Sequence, residues 1–100
     1  MKLEPVAIKY NVEVDSKKFE ALLEYEDPWH GGLKASEPGL CGLLMEIGCY
    51  DVDFSGHYLN YIWFSVHTDY NCEEYQNQII EIITEHLDKA VAWKETDNHE

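Results

Sequence analysis

Arginine is absent from this chain. Its seven lysines stand against twenty aspartates and glutamates, a formal net charge of -13 over 100 residues. Nucleic-acid backbones are gripped by clustered cations and bidentate guanidinium forks, so direct nucleic-acid binding is excluded as the main role. An anionic membrane surface is disfavoured for the same reason. Long apolar runs are also missing: nothing approaches the roughly 18 uncharged apolar residues of a spanning helix. The start Met1-Lys2-Leu3-Glu4-Pro5 opens no signal-peptide-like segment. Cysteine is scarce and odd in number, with Cys41, Cys49 and Cys72 in no CxxC spacing, which argues against a disulfide framework. These absences predict a reduced, cytoplasmic protein.

What is present suffices for a core. Apolar residues make up 45% of the chain and aromatics 13%, too many for a disordered polymer. A chain of this size buries roughly 65% of its unfolded surface. No internal repeat or low-complexity tract is visible. The expectation is a single domain over residues 1–93, followed by a flexible polar tail over 94–100.

Val6, Ile8, Tyr10, Val12 and Val14 alternate with Ala7, Lys9, Asn11 and Glu13, the period of a half-buried strand. Asp15-Ser16 offers an N-cap. Phe19, Leu22 and Leu23 then predict a helix over 16–26, stopped by Asp27-Pro28. Residues 27–39 read as a long loop. Residues 40–54 carry two patterns. Leu40, Leu43, Leu44 and Ile47 have helical spacing, while Leu43, Met45, Ile47 and Cys49 alternate. Gly39 and Gly42 weigh against a helix, so a strand over 43–54 with a bulge at Gly48 is favoured. Ser55-Gly56-His57 reads as a turn, making 49–54 and 58–67 a hairpin. Asn71 and Glu74 have capping-box spacing. They open a helix whose apolar face holds Tyr75, Ile79, Ile82, Ile83, His86, Ala90 and Trp93, widened by Ile80, Leu87 and Val91. The predicted fold is α+β in the order β-α-β-β-α. It is a two-layer sandwich with a small antiparallel or mixed sheet of three to four strands and helices on one face.

Histidines and cysteines raise the question of metal or acid-base chemistry. His30, His57 and His67 with the three cysteines lack the close ligand pairs of structural zinc sites. His67 with Asp69 hints at a base and its orienter, but Thr68 and Asp69 read better as entry residues of the last helix. His86 reads as a core histidine. Gly31-Gly32 lacks the rest of a phosphate-loop pattern. No catalytic residue, metal or cofactor is therefore expected.

The carboxylates are the strongest lead. Glu74, Glu81, Glu85 and Asp88 lie within about 60° of one another on the last helix, opposite its apolar face. Asp51 and Asp53 project together from a strand. Trp29 in the loop, and Tyr61 and Trp63 in a strand, are candidate aromatic anchors; core packing is the competing role of Trp63. A charge of -13 exceeds the magnitude of about 2–8 that solubility needs in a small domain. The expectation is a small acidic, non-enzymatic protein that inhibits a basic, nucleic-acid-processing partner. In composition and size it shares the character of immunity proteins against nuclease toxins and of phage anti-CRISPR or nucleic-acid-mimic inhibitors. One alternative is a small metal-dependent or acid-base enzyme using His30, His57 and His67. A second is a structural subunit that docks through an aromatic sheet face.

Overall fold

Among the described residues, alternation, capping and apolar spacing produce six elements: β1 (Ile8–Asp15), α1 (Ser16–Glu26), α2 (Leu40–Glu46), β2 (Cys49–Tyr58), β3 (Tyr61–Thr68) and α3 (Glu73–Thr96). The computed structural model describes residues 8–29, 31–58, 60–70 and 72–96, the side chains of 55–58 excepted. The strands form one antiparallel sheet in the order β1-β3-β2. Val14, Ile62, Phe64 and Val66 join Phe19, Leu22, Leu44, Ile79 and Ile83 in a single core. The fold is the expected α+β sandwich with one helix more, β-α-α-β-β-α.

In β1 the polar residues Lys9, Asn11 and Glu13 are exposed and Val14 is buried. Its pairing with β3 runs unbroken from Ile8↔Thr68 to Asp15↔Tyr61. Asp15 caps α1, its Oδ1 accepting from the Lys17 and Lys18 backbone N–H groups at 2.8 and 3.2 Å, an arrangement that stabilises a helix by about 1 kcal/mol. Phe19, Ala21, Leu22 and Tyr25 are buried. Leu23, expected on that stripe, is exposed. At 100° per residue it falls about 120° from the centre of the buried arc.

The strand expected over 43–54 is corrected: residues 40–46 form helix α2. Leu40 and Leu44, one turn apart, are both buried, and Met45 is exposed. Gly48, expected as a bulge, ends the helix instead with φ +100°, the left-handed position beyond a helix C-cap. A Cβ there would lie 2.9 Å from the Tyr70 ring and 3.2 Å from the Tyr75 hydroxyl. Gly48→Ala is therefore expected to cost about 1–2 kcal/mol. It should read as a lower urea midpoint at unchanged slope.

The hairpin turn is also displaced. β2 continues through Ser55-Gly56-His57 with a register shift there, and Tyr58 still pairs with Tyr61. A glycine inside a strand marks an irregularity of pairing, not necessarily its end. A second shift falls between Tyr50 and Asp53, where Asp51 has φ 48°. In α3, Ile79, Ile83, His86, Leu87 and Ala90 are buried, whereas Ile80 is 42% exposed. The helix runs past Trp93 to Thr96, whose Oγ1 donates to the Ala92 carbonyl at 2.7 Å, so residues 94–96 belong to α3 and not to a tail. The expected cap Asn71 and residues 97–100 lie outside the described residues.

The loop over 27–39 is tied down at both ends. The Leu33 N–H donates to the Tyr25 carbonyl at 2.9 Å. Glu26 Oε2 accepts from the Leu40 N–H at 3.0 Å, at the start of α2. The same oxygen lies 3.2 Å from Nε2 of buried His86, within ion-pair distance. Glu26 thus joins α1, α2 and α3. Burial raises its carboxyl pKa, but His86 and the Leu40 N–H outweigh that and hold it below the ordinary glutamate value. Gly39 permits the approach, since a Cβ there would fall 2.5 Å from Glu26 Oε1.

Candidate functional site

Among the described residues, the two-layer fold leaves one sheet face uncovered. Along β3, Ile62, Phe64 and Val66 turn to the core and Tyr61, Trp63, Ser65 and His67 turn away from it. Tyr61 is 44% exposed and Trp63 40%, so Trp63 is not a core residue. Register sets their neighbours. Glu13 pairs with Trp63, Asp15 with Tyr61 and Lys9 with His67; Asp53 pairs with Ser65 and Tyr50 with His67. Ser65 Oγ donates to Asn11 Oδ1 at 2.8 Å across the β1–β3 pair.

The end of this face nearer β2 is polar and ordered by its own contacts. Tyr50 stacks on His67 with ring centres 5.9 Å apart, and its hydroxyl donates to Asp69 Oδ1 at 2.8 Å. That bond, which the ionised phenolate would lose, raises the Tyr50 pKa. His67 Nδ1 lies 3.3 Å from the Asp51 carbonyl. Lys9, Asp51, Val52, Asp53, Ser65 and His67 line a shallow concavity of about 350 Å³.

The nearest hydrogen-bonding neighbour of His67 is a backbone carbonyl and not a carboxylate orienter. Among the described residues no three His, Cys, Asp or Glu side chains converge as metal ligands would. His30 and the side chain of His57 lie outside the described residues. Of the thiols, Cys49 is buried and half-buried Cys41 lies near the Glu26 charge; burial first, then that charge, raises the Cys41 pKa. Among the described residues no helix is long and apolar enough to cross a membrane.

The sequence-derived binding residues fall in three places. Asp51, Asp53, Tyr61 and Trp63 share the uncovered sheet face. Glu74, Glu81, Glu85 and Asp88 are exposed on α3; the three glutamates lie on the side opposite the residues it buries in the core, and Asp88 borders the β1 edge. Asp88 is engaged there by Lys18, Nζ to Oδ1 3.5 Å. Trp29 is 94% exposed in the loop after α1, its backbone N–H donating to Asp27 Oδ1 at 3.0 Å. One flat partner surface cannot cover both acidic layers. Of these three places, the sheet face joins two exposed aromatics to several carboxylates, and it brings in Glu13 and Tyr50. Alternation in β1 marked Glu13 as outward; only cross-strand register puts it beside Trp63. No family model matches the chain, and no curated protein or solved structure is significantly similar to it.

Proposed function

We propose that this chain is a non-enzymatic binding protein that docks a basic, nucleic-acid-processing protein on its uncovered sheet face and inhibits it by occupying the surface meant for phosphates. The observation that carries this reading is the pairing of exposed Tyr61 and Trp63 with Asp15 and Glu13 across the β1–β3 ladder, in a chain of net charge -13. Exposed aromatics supply the desolvated anchors of protein interfaces. Surrounding carboxylates steer a cationic partner and raise its association rate. A nuclease toxin or a CRISPR effector fits that chemistry.

The test uses three baits in host lysate: the wild type, Trp63→Ala, and Glu81→Gln with Glu85→Gln. A basic nucleic-acid enzyme is expected on the wild type and the α3 variant, depleted on Trp63→Ala, and inhibited by an equimolar amount of the wild type. Equal capture by all three baits, or no inhibition, overturns the reading. Association of the captured partner is also expected to slow as salt shortens the Debye length from about 14 to about 4 Å, with dissociation nearly constant. Stopped-flow mixing measures both. The dependence should weaken in Asp53→Asn and persist in the α3 variant.

A further inference from the structure

The first strand of the chain ends the sheet, and what lies beside its free edge has the form of a peptide groove. β1 pairs with β3 on one side without a bulge; among the described residues no strand pairs with its other side. β2, the opposite edge, is broken by two register shifts, which blunt an edge against further pairing. β1 carries no such protection. Along it, on the α3 side, run two concavities that share Val12. One, of about 280 Å³, is lined from Lys9 to Val12 and by Gln76, Ile79 and Ile80. The other, of about 160 Å³, is lined from Val12 to Asp15 and by Lys18, Ile83, Thr84, Leu87 and Asp88, the Lys18 charge being offset by Asp88 at 3.5 Å. Together they form a trough with a strand edge as one wall and one side of α3 as the other. Ile80, which helical periodicity assigned to the core, is 42% exposed at its rim.

We infer that the β1 edge and α3 form a binding groove for an extended, basic segment of a protein partner, which adds to the sheet as a fourth strand. This rests on the reading of the chain as a binder of a basic protein and adds the mode of recognition. Strand addition draws affinity from main-chain hydrogen bonds and specificity from pockets for alternate side chains. With a period of two, every second residue of the incoming strand enters the trough against Val12, Ile80 and Leu87, and must be apolar. The intervening residues lie on the outer sheet face beside Lys9, Asn11 and Glu13. Glu13 and Asp15 favour Lys or Arg opposite their end of the strand, and Lys9 favours a polar neutral residue at the other. The occupant is thus a segment alternating apolar and basic residues. A second copy of the chain is disfavoured as occupant, because two molecules each at -13 repel.

The test is titration of the full chain with an acetylated, amidated peptide of the same length as β1 that alternates Val and Lys. Backbone amide NMR is the readout. Shifts are expected along 8–15 and along the 76–88 side of α3. Two analogues, N-methylated on one or the other alternate set of amides, separate strand pairing from charge attraction: one should bind roughly tenfold more weakly and the other much as the parent does. Ile80→Glu, at an exposed site where folding is checked by circular dichroism, should weaken the parent peptide roughly tenfold. Trp63→Ala should leave peptide affinity unchanged. Three results overturn the groove: equal binding of both N-methylated analogues, shifts confined to the outer sheet face, or a dimer of the free chain in sedimentation that Ile80→Glu abolishes. Peptide binding that survives Trp63→Ala while the partner is captured equally by every bait leaves the groove standing and fells only the sheet-face reading.

Discussion

Glu26→Ala is expected to destabilise the protein by about 2 kcal/mol and to loosen α2 from the helical layer. The carboxylate serves three elements, and its removal leaves the Leu40 N–H and the His86 ring without their partner. A buried donor stripped of its acceptor costs about 1–3 kcal/mol. With 30% of the Glu26 side chain exposed, solvent screens part of the ionic contribution, so the middle of that range applies. The direction of the pKa shift fixes the pH dependence. The folded-state value lies below the ordinary one, so the carboxylate contributes fully above the usual glutamate range, and that contribution is lost as pH falls through the lowered value. Glu26→Gln keeps the shape and an acceptor for Leu40 but not the charge. Urea melts from about pH 7 to about pH 3 should show the wild type ahead of this variant at the upper end and the two converging at the lower. A gap that stays constant across that range would mean the charge has no part in holding α2.

Phe64→Ala and Trp63→Ala change adjacent residues of the central strand and are expected to have opposite consequences. Phe64 is fully buried and packs its ring 4.7 Å from that of Phe54. Truncation there should cost about 3–5 kcal/mol, from lost burial and the cavity left behind. Small domains have only about 5–15 kcal/mol in total, so the variant should melt far below the wild type and expose surface to hydrophobic dyes. Trp63 stands on the other face, and its truncation should cost less than about 1 kcal/mol while removing the proposed partner anchor. Calorimetry on the pair measures the contrast. Similar losses for both would place Trp63 in the core.

Those two residues also mark what could be read from the chain. Alternation in β1, the Asp15 cap and the long apolar stripe of α3 are local signals, and each corresponds to an element of the structure. α2 was missed because its stability is not local. It has seven residues, a glycine on either side of Leu40-Cys41, and no side-chain cap of its own; the carboxylate at its start comes from α1. The turn was misplaced because Ser55-Gly56-His57 carries turn chemistry that the sheet absorbs as a register shift. For the site, the acidic residues were legible, but not their division between two layers. Which carboxylates stand beside Trp63 depends on pairing between β1 and β3. Nor does any periodicity reveal that Ile80 borders a trough, since that depends on where α3 lies against the sheet edge.

The strand order has a consequence for the newborn chain. β1 is made first, yet its only partner among the described strands is β3, about fifty residues later in the chain. At roughly 5–20 residues per second, β1 waits some 3–10 s on the ribosome with neither edge occupied. β2 and β3, by contrast, are neighbours in sequence and close their hairpin as soon as both emerge. During that interval an alternating strand is open to mispairing with other nascent chains. Lys9, Asn11 and Glu13, spaced every second residue, keep one face polar throughout the wait. A nascent chain that has emerged only to before residue 61 should therefore hold β1 open to protease, and one emerged beyond α3 should protect it.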